Sequence, residues 1–274
     1  GVLWAVGANG AVHLLNRNLE NVGNFPILTG AVPSARPAAF GKTLLIPSRG
    51  SRIVVIKDDG TYDEVQLPDD GEILSAPSLS GDTAAIYEKS FAGSIYFMKD
   101  QKISNTSEPM QVDGIGFDSP ALMESGGALY TAFITQSGRL YLFKDGKLED
   151  GFPIETNGVF YTNVVSCGSF FFALSEDADV YRFALDGTFT TVKIPGASSA
   201  RQGKIASVRS ASGDAVYVCA DENVLYGFMQ SLELVPGFPV AGRGLPVIAD
   251  VNGDKKGECI VLSFDKNLYA WDIQ

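Results

Sequence analysis

The sequence predicts an all-β protein built from repeated four-stranded units. Three observations predict it: one apolar pattern recurs along the whole chain, short polar links join pairs of β-rich runs, and no stretch has the spacing of an amphipathic helix. The chain has 274 residues, of which 45% are hydrophobic. This is enough apolar material to bury a large core.

The recurring pattern is four residues long: an aliphatic residue, usually Tyr, a variable residue and a large apolar residue. It occurs seven times, and the successive copies begin 41, 42, 45, 40, 45 and 43 residues apart. Because apolar side chains occupy successive positions, both faces of each of these strands are expected to be buried. The copies are residues 12–15, 53–56, 95–98, 140–143, 180–183, 225–228 and 268–271.

Two further strands and an outer segment are expected in each repeat. Links such as Asn-Gly and Ser-Gly predict a hairpin between the copied strand and the β-rich run before it. Small and apolar residues ahead of the hairpins, often after Pro, predict innermost strands at 37–39, 77–79, 120–122, 162–164, 206–208 and 246–248. The outer segment contains Phe-Pro-Ile or Phe-Pro-Val in three copies, where the sheet edge tolerates proline: 25–27, 152–154 and 238–240.

Four short strands in a period of 40 to 45 residues are typical of a blade of a β-propeller. We therefore predict a single β-propeller domain over residues 1–274, with seven four-stranded blades, and eight or six blades as the alternatives. The first hairpin has no inner strand before it, and the last has no outer strand after it. Either one blade is short, or the chain is part of a longer protein.

One loop, DVNGDKKGE at residues 250–258, differs from the plain turns at the same junction of the other repeats. Calcium binds six to eight oxygen ligands and is often held by a short loop with ligands at alternating positions. The candidate ligands are side-chain oxygens of Asp250, Asn252 and Asp254, the backbone carbonyl of Lys256, and the carboxylate of Glu258. The alternative is an acidic turn without metal, whose side chains accept hydrogen bonds from the loop's own N–H groups.

The segment LPVIADVNGDKKGECIVLSFDKNLYAWD resembles a repeat of the FG-GAP or VCBS propeller family, whose A-D-x-[DN]-x-D-G-x-x-[DE] loop binds calcium. Lys255 stands where that pattern usually has Gly, and Glu258 stands where Asp is commoner. The other repeats are similar to quinoprotein-like (PQQ-repeat-like) and FG-GAP-like repeats. The resemblance implies a propeller with a structural calcium ion in its last blade. WD40 repeats fit poorly, since the sequence has one Trp-Asp dipeptide.

Catalytic motifs are not found in the sequence. The single histidine, His13, occupies the position of Tyr in five other copies, which indicates a structural role. No phosphate-binding GxxxxGK[ST] loop, GxGxxG turn or GxSxG elbow is present. The basic residues, Arg201 and Arg243 among them, are scattered and predict no phosphate site. The three cysteines lack CxxC spacing and are expected to be buried thiols.

Charge narrows the range of partners. The net charge of -11 disfavours wide contacts with nucleic acid or anionic lipid, and no apolar run is long enough for membrane insertion. We expect a non-catalytic scaffold for a protein or carbohydrate ligand, located outside the cytoplasm (in the periplasm, on the cell surface or secreted), where calcium is plentiful. It would be a monomer or part of a larger surface protein. The alternative is a carboxylate-based enzyme, of glycosidase or lyase type, with its site in the central channel.

Overall fold

The structure is a computed structural model whose regular elements are all β-strands. The all-β prediction is therefore confirmed. Among the residues that the structure describes, no helix is long and apolar enough to span a membrane. The described residues are 2–68, 71–89, 93–99, 102–103, 109–210, 213–221, 223–254, 257–263 and 265–272.

The chain divides into two compact units, Gly1–Leu122 and Met123–Gln274, and each is described by itself. The first unit contains three antiparallel sheets, with strand orders β1-β2-β3, β4-β5-β6-β7 and β8-β9-β10-β11, and β12 also pairs with β10. The strands are β1 (Leu3–Val6), β2 (Ala11–Leu15), β3 (Ile27–Leu28), β4 (Ala38–Phe40), β5 (Thr43–Ser48), β6 (Arg52–Lys57), β7 (Tyr62–Gln66), β8 (Ser78–Ser80), β9 (Thr83–Glu88), β10 (Ser94–Lys99), β11 (Lys102–Ile103) and β12 (Met110–Gln111).

The second unit contains four antiparallel sheets, and the boundary between the units falls within β13. Their orders are β13-β14-β15-β16 with β17 also on β15, then β18 to β21, β22 to β25, and β26 to β28. The strands are β13 (Ala121–Ser125), β14 (Ala128–Ile134), β15 (Arg139–Lys144), β16 (Lys147–Leu148), β17 (Ile154–Glu155), β18 (Phe160–Cys167), β19 (Phe170–Ser175), β20 (Asp179–Phe183), β21 (Phe189–Lys193), β22 (Lys204–Ser210), β23 (Gly213–Cys219), β24 (Val224–Met229), β25 (Val240–Ala241), β26 (Arg243–Ala249), β27 (Glu258–Leu262) and β28 (Leu268–Asp272).

Each sheet follows the order that the repeat predicts. Every predicted inner segment lies in or overlaps the first strand of a sheet, and the copied pattern lies in β2, β6, β10, β15, β20, β24 and β28. The three Phe-Pro segments lead directly into the short edge strands β3, β17 and β25. Among the described residues, the first and last sheets have three strands, as expected from the incomplete first and last repeats.

Burial of both faces explains why the copied strands are apolar at every position. In β6, Val54 and Ile56 pack with residues of the first sheet, including Val12. Ile53 and Val55, which point to the opposite face, pack with residues of the third sheet. The same arrangement occurs in the second unit, where one core joins the sheets of β18 and β22, and another joins those of β22 and β26.

Candidate functional site

The acidic loop lies where the sequence predicts it, between β26 and β27, and Glu258 is the first residue of β27. The Glu258 side chain is 3% exposed. Its Oε2 accepts a hydrogen bond from the Val251 N–H at 2.8 Å, and its Oε1 accepts one from Asn252 Nδ2 at 3.2 Å. A carboxylate that is buried at a strand end therefore ties down the first half of the loop.

Two further side chains of the loop close turns on its backbone. Asp250 Oδ1 accepts a hydrogen bond from the Gly253 N–H at 2.6 Å, and Asn252 Oδ1 accepts one from the Asp254 N–H at 2.8 Å. Gly253 has a φ of 86°, which favours glycine. These are the contacts of an acidic turn.

The structure thus places four of the five candidate calcium ligands in one turn, while Lys256 and its neighbour Lys255 lie outside the described residues. Within the described residues, no group of three or more His, Cys, Asp or Glu side chains is positioned to hold a metal ion. The oxygens of Asp250, Asn252 and Glu258 are instead oriented by N–H donors of the same loop. These hydrogen bonds are those of the predicted acidic turn, and calcium binding stays a prediction.

The sequence predicts a structural role for His13 and buried positions for the three cysteines. His13 Nδ1 lies 3.0 Å from Asn21 Oδ1, in a contact at the edge of the first sheet. Cys167, Cys219 and Cys259 are buried thiols that form no disulfide, as predicted. Burial raises the pKa of the Cys259 thiol to about 11, so the reactive thiolate is disfavoured at neutral pH.

A pocket of about 370 Å³ lies in the second unit, where β22, β23 and β26 meet. Two cations line it at matching positions, because Lys204 is the first residue of β22 and Arg243 is the first residue of β26. Both side chains are exposed. The lining residues are Gln202, Lys204, Cys219, Ala220, Asp221, Arg243 and Gly244.

The charges in this pocket do not cancel. Asp221 is the single carboxylate among the described lining residues. Its Oδ2 accepts a hydrogen bond from Ser199 Oγ at 2.7 Å, and its Oδ1 accepts one from the Gln202 N–H at 2.8 Å. Neither Lys204 nor Arg243 forms an ion pair with any residue that the structure describes. The described lining therefore carries two positive charges and one negative charge.

The backbone on both sides of Arg243 is held in place. A Cβ on Gly242 would lie 2.7 Å from Val261 Cγ1, so only glycine allows this close approach. The Gly242 carbonyl lies 3.5 Å from the buried Cys219 Sγ, which donates to it. Gly244 has a φ of 91°, and the pairing of β26 with β27 shifts register between Arg243 and Val247. A bulge of this kind reorients side chains, and bulges are frequent beside binding sites.

Lys204 is positioned by a second tight backbone contact. A Cβ on Gly203 would lie 2.8 Å from the Ala200 carbonyl oxygen and 2.8 Å from Leu174 Cδ2. The Gly203 N–H also donates to the Ala200 carbonyl at 2.9 Å. Together with the contacts of Asp221, this fixes the loop from Ser199 to Gly203 beside the pocket.

The loop from Ser199 to Gly203 also makes an aromatic–cation contact. The Arg201 guanidinium lies 5.1 Å from the centre of the Tyr161 ring. Such a contact stabilises by about 0.5–1 kcal/mol at an exposed site. Arg201, Lys204 and Arg243 thus give three exposed cations on one loop and two strand starts of the second unit.

The basic residues look scattered along the sequence, whereas the structure places Lys204 and Arg243 in the lining of one pocket. They are 39 residues apart (243 minus 204), close to one repeat, and both begin an inner strand. Positions one period apart lie side by side when neighbouring sheets pack. The only signal in the sequence is that each residue lies two or three positions before a predicted inner segment.

No family model and no curated protein sequence matches the chain. Solved structures do match in fold. The chain is similar to BBS1N from its complex with ARL6DN, with a TM-score of 0.68 and 13% identity. The match covers 100% of this chain and 87% of BBS1N. Over 100% of this chain and 89% of the other, it is similar to the WD40 β-propeller domain of Doa1, with a TM-score of 0.61 and 14% identity.

The virginiamycin B lyase of Staphylococcus aureus is also similar, with a TM-score of 0.55 and 15% identity over 88% of this chain and 84% of the other. Identities this low show the fold alone. The chain therefore has a β-propeller-like fold, and its function has to be argued from its own residues.

Proposed function

We propose that the chain is a non-catalytic binding scaffold that recognises a segment of another protein. It would be a single propeller domain of seven blades, each of which is based on four strands. The pocket of Lys204 and Arg243 carries this proposal, because it combines a preformed concavity with cations that have no ion-pair partner among the described residues. Recognition sites commonly pair a rigid backbone with a few exposed, chemically distinct side chains. The complex of BBS1N with ARL6DN is a precedent for protein binding by a chain of similar fold.

An enzyme of the glycosidase type needs two carboxylates on either side of the scissile bond. The described lining of this pocket contributes one, Asp221, and neutral donors already engage both of its oxygens. Binding is therefore the chemistry that this pocket supports best.

Selection from a display library of random short peptides tests the binding role. We expect sequences to be enriched on the wild-type chain and to bind the double variant Lys204→Glu, Arg243→Glu much more weakly. Lys147→Glu is a control for added negative charge, because Lys147 is an exposed residue of another sheet. If no sequence is enriched, or if the enriched sequences bind all three proteins equally, the pocket is not a protein-binding site.

A second part of the proposal concerns the loop from Asp250 to Glu258, which we assign to an FG-GAP/VCBS-like calcium loop in an extracytoplasmic protein. Three observations support it: the spacing of the oxygen-bearing side chains, their collection in one turn, and the anchoring of Glu258 at the start of β27. Asp250, Asn252, Asp254, the Lys256 carbonyl and Glu258 would hold the ion. Calcium would neutralise the acidic side chains and hold the loop in one conformation, with no part in a reaction.

Thermal melts with and without calcium test this part. Loops of extracellular modules bind calcium with Kd values of about 10⁻⁴–10⁻³ M, so about 5 mM CaCl₂ is expected to stabilise the chain by roughly 1–2 kcal/mol, a few degrees in Tm. Asp250→Asn keeps an oxygen acceptor for the Gly253 N–H but removes the charge, so it should abolish the rise with little effect in EDTA. An equal Tm in CaCl₂ and in MgCl₂ would show a metal-free turn.

A further inference from the structure

We propose that the pocket of Lys204 and Arg243 binds a carboxylate side chain of an extended acidic–aliphatic peptide segment. The inference rests on the binding role proposed above and names the chemistry of the ligand. Two cations line this pocket on a chain whose net charge is -11, so the pocket is a local site for negative charge on an acidic molecule. Arg binds a carboxylate through two parallel hydrogen bonds, and Lys adds a third donor.

The carboxylate has to come from the ligand. The one acid in the described lining, Asp221, is bonded by the Ser199 hydroxyl and the Gln202 N–H. The close packing at Gly242 and Gly203 holds the strand starts that bear Arg243 and Lys204. Because the supporting backbone is already fixed, little of the binding energy would be used to order it.

The surface beside the pocket indicates a peptide rather than a small anion. After Arg243, strand β26 exposes Leu245 to 46% and Val247 to 59%. The bulge between Arg243 and Val247 interrupts the regular strand spacing here, so both side chains follow Arg243 along the same strand without a fixed period. An extended segment in which an acidic residue is followed by aliphatic residues therefore matches this surface in charge and in apolar character.

A fluorescence anisotropy titration tests the proposal with three labelled peptides. The probe is Ser-Glu-Ser-Leu-Ser-Val-Ser, and the controls replace either Glu by Gln or both aliphatic residues by Ser. We expect each control to bind about 10-fold more weakly or worse, since a charge-assisted hydrogen bond and an exposed aliphatic contact each contribute on this scale.

Variants of the chain identify the group that recognises the acid. Arg243→Gln should weaken binding of the Glu probe about 10-fold and remove most of its advantage over the Gln control, because the two changes delete the same contact. Lys204→Gln should weaken binding of the Glu probe by a smaller factor. If Arg243→Gln does not fold, Lys204→Gln provides the test in its place. Lys147→Gln, on another sheet, should bind like the wild type.

The outcomes separate this inference from the binding role. Equal binding of the Glu and Gln peptides would overturn it, as would an undiminished preference for Glu in both pocket variants. If inorganic phosphate displaces the probe and the aliphatic residues make no difference to its affinity, the pocket is a small-anion site and the proposed peptide ligand is wrong. If the library selection yields pocket-dependent ligands without acidic residues, the binding role stands and the carboxylate inference fails.

Discussion

At the scale of single residues, burial determines which ionisable side chains stay protonated and unreactive. Cys259 is fully buried, and desolvation raises the pKa of its thiol from 9.0 to about 11. Tyr217, in the same core, has its pKa raised from 10.0 to about 12, first by burial and then by the nearby thiols of Cys259 and Cys167. Both groups are protonated in the native state at pH values at which they ionise in the unfolded chain.

Stability should therefore fall at alkaline pH. A group with a raised native pKa contributes stability that is fully present below its unfolded pKa and is lost as the pH rises through its native pKa. For Cys259 this window runs from pH 9.0 to about 11. Two pKa units correspond to about 3 kcal/mol in the free energy of unfolding.

Urea unfolding of the wild type and of Cys259→Ala between pH 8 and pH 11 measures this effect. Since Ala does not ionise, the variant should lose less stability over this range than the wild type, even if it is less stable at pH 8. Parallel pH dependences of the two proteins would show that the Cys259 thiol does not contribute.

At the scale of elements, the hairpin links explain why certain glycines recur. Gly138 ends the link between β14 and β15 with a φ of 86°, and a Cβ there would lie 2.5 Å from the Gly158 carbonyl oxygen. Ala178 ends the equivalent link before β20 and has a φ of 60°. The left-handed conformation by itself thus accepts a methyl group at this position. At Gly138 the neighbouring carbonyl is the additional obstacle.

Gly138→Ala is therefore expected to destabilise the chain by about 2 kcal/mol or more, because it adds a backbone clash to the cost of a positive φ. Gly126→Ala is the matched control. Gly126 has a φ of 58°, and a Cβ added there would have no neighbouring atom within 4 Å, so its cost should be about 1 kcal/mol. Urea unfolding midpoints measure both, and equal losses would contradict the role of the Gly158 carbonyl.

At the scale of the whole molecule, the sequence predicts the repeated sheets better than it predicts the site. The apolar pattern of 53–56 determines a strand because both of its faces must be covered, and the structure packs them against two different sheets. Lys204 and Arg243 carry no local signal, since they meet only through the packing of neighbouring sheets. For Asp250 and Glu258 the spacing predicts the turn, whereas metal binding depends on interatomic distances that spacing does not determine.

Net charge acts on the stability of the whole chain. With 32 acidic and 21 basic residues, the chain has excess negative charge at pH 7, and these like charges repel one another in the compact native state. Raising NaCl from about 0.01 M to about 0.15 M shortens the screening length from roughly 30 Å to 8 Å, which relieves this repulsion more in the native state than in the expanded unfolded chain. The opposing loss is small, because the four ion pairs among the described residues all join exposed side chains.

The Tm at pH 7 should therefore rise by a few degrees with NaCl, and the rise should shrink as the pH approaches 4.6, the isoelectric point. A Tm that falls with NaCl at pH 7 would mean that local ion pairs outweigh the net charge. The same experiment sets the baseline for the calcium melts. Because any salt screens the eleven excess negative charges, only a rise in CaCl₂ beyond that in MgCl₂ at equal ionic strength reports on the loop of Asp250 and Glu258.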